Sequence, residues 1–339
     1  MAVTVPELQR TNARALTPPV PYEFRAYDNP AAGDGVQAVG RPGKLGVIDL
    51  ELVRGTTGKT GMARRYVKAP MSLSRPLHVD PQDPHTAVVY LRSTGGGIAQ
   101  NDRIRQRFVL QPNATALITT QAATSVHRMN SGFGSQWTSA VVADAAMLEY
   151  LPGHTTLFGG SCFLQLTEFD LHPRAALIAG EVVMMGRVAS GEIHKFDACS
   201  ITLRVTRERR VLLNDRMTAL QEHNNANTQL FGAWPVWASL VVVPPERSNA
   251  DGEGLRSVDV AALVDELHEL GQRLAGNAVV GGTHTPPLAV GVSALVDNAG
   301  ALVRIAGTTM EHVRRAMDAL HSAARQRLCG KPSFDLRTM

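Results

Sequence analysis

Two glycine-rich stretches come nearest to phosphate chemistry, and both fail on spacing. Gly55-Thr56-Thr57-Gly58-Lys59-Thr60 has the composition of a phosphate-binding loop, but such a loop needs four residues between its glycines so that successive amides surround the phosphates. Val53 stands where the first glycine belongs, and Met62-Ala63-Arg64-Arg65 is a poor start for the helix that must follow. A solvated turn is expected there. Gly95-Gly96-Gly97-Ile98-Ala99-Gln100 opens like a dinucleotide fingerprint, yet Gln100 occupies the place of the third glycine, and the next residues read as a strand. The 11 histidines are scattered, with no HExxH or HxH pair that would ligate a catalytic metal. No G-x-S-x-G elbow is present, although a Ser/His/Asp constellation built from distant positions stays open. The one carboxylate whose place demands an explanation is Glu181, which interrupts the apolar run Leu177 to Met185. An unpaired charge there is costly, so Glu181 must be hydrated or paired, with Arg187 at the same strand parity as the obvious partner.

The elements that would position such residues are mostly strands. Short apolar or alternating runs occur at Thr86 to Arg92, Ile104 to Leu110, Ala114 to Thr119, Trp137 to Ala143, Met147 to Leu151 and Cys162 to Phe169. More follow at Ala175 to Met185, Ser200 to Thr206, Val236 to Val243, Leu288 to Val296 and Ala301 to Ile305. Cys162 to Thr167 looks half-buried, whereas Ala175 to Ala179 is apolar on both faces, as in a sandwich or stacked sheet. Helical spacing appears twice, late in the chain. Val260, Leu263, Val264, Leu267, Leu270 and Leu274 share one stripe before Gly276. A second helix is expected after Thr308-Thr309-Met310-Glu311, read as a capping box of Thr308 with Glu311, and is stopped by Gly330 and Pro332. The chain is therefore expected to be mainly β, with two C-terminal helices packed on stacked sheets.

With 339 residues and 44% hydrophobic composition, a large core is available. Residues 1–42, rich in Pro, Ala and Gly, are read as a flexible N-terminal arm, and 43–339 as one β-rich domain. Pro244 to Gly254 reads as an exposed insertion loop. Cys162, Cys199 and Cys329 form no CxxC pair and are read as buried small hydrophobes, which suits a reducing compartment. The first twenty residues lack the apolar core of a signal peptide, and no run is long enough for a membrane span, so no membrane and a cytoplasmic location are expected. The net charge of +4 is spread out, with Arg207 to Arg210 broken by Glu208, which favours a docking surface for acidic partners over nucleic-acid binding.

The most specific signal is an ordered series of short motifs. Ser93 to Arg103 carries a GG-turn with Asp102, where Asn101 can share the glycines' positive φ and Asp102 can cap nearby amides. Ala116-Leu117-Ile118-Thr119-Thr120-Gln121-Ala122-Ala123-Thr124 follows, then Leu148-Glu149-Tyr150-Leu151-Pro152, then Gly180-Glu181, Gly186-Arg187 and Gly191-Glu192. In this order and spacing the series resembles the urease accessory protein UreD/UreH family. Gly291-Val292-Ser293, Val303-Arg304 and the final helix with its basic tail extend the likeness, which covers roughly Gly43 to Arg337. The sequence departs from the family pattern at Asn101, Ser125, His127 and Gly153-His154.

The resemblance implies a superhelical, β-helix-like stack of sheets without catalytic activity. It implies a scaffold that binds apo-urease and works with the accessory protein UreF and the nickel-delivering GTPase UreG. No tightly bound cofactor is expected, only nickel in transit. Nickel accepts nitrogen and oxygen ligands held loosely enough to release it. Glu181 is the first candidate for such a path; Asp102 and Glu149, at charged motif positions, come next. Turn capping and surface exposure are their respective alternatives. Two rival readings are a carbohydrate-active enzyme, which would need carboxylates roughly 5 to 9.5 Å apart, and a purely structural interaction module.

Overall fold

The computed structural model describes residues 2–28, 43–220, 231–247, 254–276 and 286–336. The strands are β1 (Leu45–Arg54), β2 (Thr60–Lys68), β3 (Met71–Leu73), β4 (Ala87–Ser93), β5 (Arg103–Leu110), β6 (Thr115–Thr120), β7 (Thr124–Val126), β8 (Gly134–Val142) and β9 (Met147–Leu151). They continue with β10 (Thr155–Leu157), β11 (Cys162–Leu171), β12 (Ala176–Met184), β13 (Ala198–Arg207), β14 (Arg210–Leu220), β15 (Val236–Val243), β16 (Leu288–Ala294) and β17 (Ala301–Gly307). The helices are the single turn α1 (Ala13–Leu16), α2 (Val260–Ala275) and α3 (Met310–Cys329).

Two sheets result. The first runs β14-β13-β11-β8-β5-β1-β2 and the second β16-β17-β15-β12-β9-β6-β4-β3. From β4 to β13 the long strands alternate between the sheets, and each lies parallel to the previous strand of its own sheet. This is a coil of stacked rungs, which is the stacked, β-helix-like architecture expected from the sequence. Antiparallel strands close the ends: β2 and β14 on the first sheet, and β15, β17 and β16 on the second.

Side chains of alternate parity separate two cores. Ile48, Phe108, Tyr150, Phe163, Phe169 and Leu177 are among those that fill the space between the sheets. On the other face of the second sheet, Ile178, Leu240, Val303 and Ile305 meet Leu263 and Leu267 of α2 and Val313, Leu320 and Leu328 of α3. The helices cover that face because their apolar stripes have no other surface to bury.

Several local expectations change. α3 is capped by Thr309, not Thr308: the Thr309 hydroxyl accepts from the His312 amide, and Glu311 pairs instead with Arg315 one turn on. Pro244 and Pro245 are buried, because Pro244 accepts a hydrogen bond from the buried Arg207; residues 248–253 of that loop lie outside the described residues. Cys162 and Cys199 are buried, and burial pushes the Cys199 thiol up to about 12, but Cys329 is only half-buried. The Gly55 to Lys59 stretch is the exposed turn between β1 and β2, as its spacing implied.

Of the proposed arm, residues 2–28 lie against the body. Leu16 and Phe24 are fully buried, and Phe24 packs edge-on against Phe133. The polar anchors come from the first sheet. Arg107 bridges the Pro6 carbonyl at 2.5 Å and the buried Asp49, while Arg10 reaches the same carboxylate at 3.0 Å. Composition gave no hint of this, because the complementary groups sit in distant strands.

Candidate functional site

Strand parity also places polar residues between the sheets. A cavity of about 270 Å³ is lined by Gln106 of β5, Gln136 of β8 and Gln165 of β11 on one side, and by Tyr150 of β9 and Glu181 of β12 on the other. Gln136 stands beside Gln165 in register, while Gln106 and Thr167 flank Thr138. The Cys162 to Thr167 stretch is thus not half-exposed. Its polar residues Gln165 and Thr167 point inward and are buried.

Glu181 accepts hydrogen bonds from Gln165 Nε2 at 2.8 Å and from the Thr167 hydroxyl at 2.5 Å. The expected partner Arg187 is not available to it. The strand ends at Met184, and Gly186 at φ +127° turns the chain, so Arg187 pairs with Glu192 and lies 4.5 Å over the Phe158 ring. Among the described residues, no cation pairs with Glu181. Burial therefore pushes its carboxyl up to about 7, with Asp215 adding to the rise, even though the two hydrogen bonds favour the ionised form. Thr138 and the buried Tyr150 hydroxyl extend the polar network to Gln106. Burial raises the Tyr150 phenol above its ordinary range, so it acts only as a neutral hydrogen-bonding group. The cavity thus offers neutral oxygen groups and one carboxylate that changes charge near neutral pH.

The other two candidates lie elsewhere. Asp102 is buried, and its carboxylate accepts from the amides of Gly43 at 3.1 Å, Lys44 at 2.7 Å and Ala99 at 2.9 Å. It staples the turn. Glu149 is buried, contrary to the surface alternative, on the face of β9 turned toward α3. It meets His321 Nε2 at 2.5 Å and Arg325 Nε at 2.9 Å, while Arg325 also binds Asp80 at 2.6 Å. Glu149 and Glu181 lie on opposite faces of the second sheet, because Glu149 is in register with Ile178 and not with a residue of Glu181's parity. The three carboxylates do not converge. Among the described residues, no group of three or more His, Cys, Asp or Glu side chains is arranged to hold a metal ion. Sequence reasoning missed Gln106, Gln136, Thr138 and Tyr150; a polar residue at the inward parity of an apolar strand was the available signal.

The motifs meet at one end of this cavity. Gly96 and Gly97, residues 121–124, Pro152 and Glu181 all line it. Gly97, at φ +127°, leaves no room for a side chain: a Cβ there would lie 2.2 Å from the Ser125 carbonyl oxygen. Asn101 takes a positive φ of 60°, as expected. His127 hydrogen-bonds the Gly96 carbonyl and meets Phe158 edge-on, and Glu192 accepts from the Gly159 amide at 3.2 Å. Residues distant in sequence thus share the rim of one cavity.

Fold and site together define a two-sheet, β-helical protein with a carboxylate-bearing polar cavity between its sheets. The family model described as UreD urease accessory protein matches residues 44–338, and the chain belongs to this family. It is 33% identical over 305 residues to a protein named urease accessory protein UreD 2 of Streptomyces griseus subsp. griseus, covering 88% of this chain and 96% of that one. It is 31% identical over 298 residues to urease accessory protein UreD of Haloarcula marismortui, covering 87% and 91%. The UreD of Cenarchaeum symbiosum is 26% identical over 298 residues, covering 87% and 96%. No helix among the described residues is long and apolar enough to cross a membrane.

Proposed function

We propose that this chain is a non-catalytic scaffold for loading nickel into apo-urease in the cytoplasm. It binds apo-urease, works with UreF and the nickel-delivering GTPase UreG, and carries nickel through the cavity between its sheets. Nickel is cargo here, not a resident cofactor. The observation that carries the reading is Glu181: a buried carboxylate with no cationic partner among the described residues, placed in a polar cavity between the sheets. Keeping such a group ionised is costly, and a passing cation would supply the missing counter-charge. Side-chain oxygens of Gln106, Gln136 and Gln165 are weak ligands, suited to exchange and not to storage. Asp102 holds the turn at the rim of this path, and Glu149 anchors α3 outside it.

The test is urease co-produced with its accessory proteins and either this chain or its Glu181→Ala variant. Retained urease binding with nickel-poor, inactive urease is the expected result. Full nickel content with a folded variant would remove Glu181 from the path.

A further inference from the structure

A second cavity, of about 720 Å³, lies on the other face of the second sheet, beneath α3 and the tail segment 333–336. Thr120, Ala122, Ala123, Pro152, Gly153 and Val182 line both cavities. The two are therefore separated by a wall one residue thick, made largely of small side chains.

The wall has a weak point. The ladder between β6 and β9 ends at the pair Thr119 and Leu151, and the chains next meet where the Thr124 amide donates to the His154 carbonyl. Between these two fixed edges lie residues 120–123 and 152–153. Among the described hydrogen bonds, a single hydroxyl spans that window: Thr120 Oγ1 accepts from the Gly153 amide at 2.9 Å and donates to the Ala122 carbonyl at 2.8 Å. The Gln121 amide stays bonded to the Leu91 carbonyl at 2.9 Å, whereas residues 122 and 123 are exposed and can shift without repacking either core.

Both sides of the window suit the same cargo. Glu181 lies on the inner side, and Asp318, Asp335, His154 and His321 line the outer cavity with Arg314. With no three-donor cluster among the described residues, such a route passes a hydrated divalent cation without trapping it. We propose that the Thr120–Gly153 bridge is a gate, through which a hydrated divalent cation crosses from the cavity between the sheets to the cavity beneath α3. This rests on the reading of the first cavity as a nickel path, and adds its continuation and its control point.

A reversible lock tests the gate. A Cβ at position 153 would lie 2.9 Å from Thr120 Oγ1, close to the separation of about 3 Å between the sulfur of one cysteine and the Cβ of the other in a disulfide. Thr120→Cys/Gly153→Cys in a Cys329→Ser background therefore closes the window when oxidised. Purified apo-urease is loaded with nickel in the presence of the accessory proteins, with the pair oxidised or reduced, and nickel per urease is measured. The gate predicts loading lost on oxidation and restored by reductant. Val182→Phe, which fills the shared wall from β12, is the second variant and is expected to lower loading without any redox step. If both variants fold and load fully while Glu181→Ala still fails, the gate is wrong and the first cavity stands. Full loading by the Glu181→Ala variant as well overturns the path and the gate together.

Discussion

Replacing Glu181 by glutamine keeps the shape of the side chain and its contacts with Gln165 and Thr167 but removes the titrating group. The folded carboxyl holds its proton up to about pH 7, whereas its ordinary value is 4.5. The Glu181 site therefore binds more protons in the folded state than in the unfolded state between these limits, so its contribution to stability is greatest below the lower value and falls as pH rises through the upper one. At about 1.4 kcal/mol per pH unit, the full penalty is about 3 kcal/mol above pH 7. Glu181→Gln is released from it. The variant should match the parent in urea unfolding near pH 4.5 and exceed it by about 3 kcal/mol at pH 8. All other titrating groups are shared by the two proteins and cancel in the difference. A difference that stays constant with pH, or a parent more stable than the variant at pH 8, would refute the idea that Glu181 sits unpaired in a buried cavity.

Arg325→Met leaves Asp80 and Glu149 buried without their shared cation, and should cost about 3–5 kcal/mol in urea unfolding, with α3 the first element to lose amide protection in hydrogen exchange. Gly97→Ala forces a methyl toward the Ser125 carbonyl at an unfavourable φ and should cost about 1–3 kcal/mol in thermal unfolding, whereas Gly96→Ala, with open space at its Cβ, should cost less.

The strand runs and both long helices were legible because alternation of parity and helical spacing are local properties. Met147 to Leu151 and Val236 to Val243 match their strands end for end, and Gly330 ends α3 as expected, in a left-handed conformation. The cap of α3 falls one residue later than read because adjacent threonines at 308 and 309 are equivalent locally, whereas in the fold the Thr308 amide and hydroxyl are both taken by the Pro287 carbonyl and Thr309 is left to cap. Glu181 stood out in the sequence as a charge in an apolar run. Its partners did not, because Gln165 and Thr167 come from the opposite sheet and look like ordinary alternation.

Sequence alone determined the β-rich composition, the late helices, the family and the one anomalous carboxylate, since each is encoded in neighbouring residues or in the order of short motifs. Tertiary structure decided the rest. It sent Arg187 to Glu192 instead of Glu181, buried Glu149 against Arg325, placed Asp102 among three amides, and laid residues 2–28 across the first sheet. Each outcome depends on which strands lie side by side and which face meets which. That pairing is set by the burial of whole sheets, and no single stretch of chain carries it.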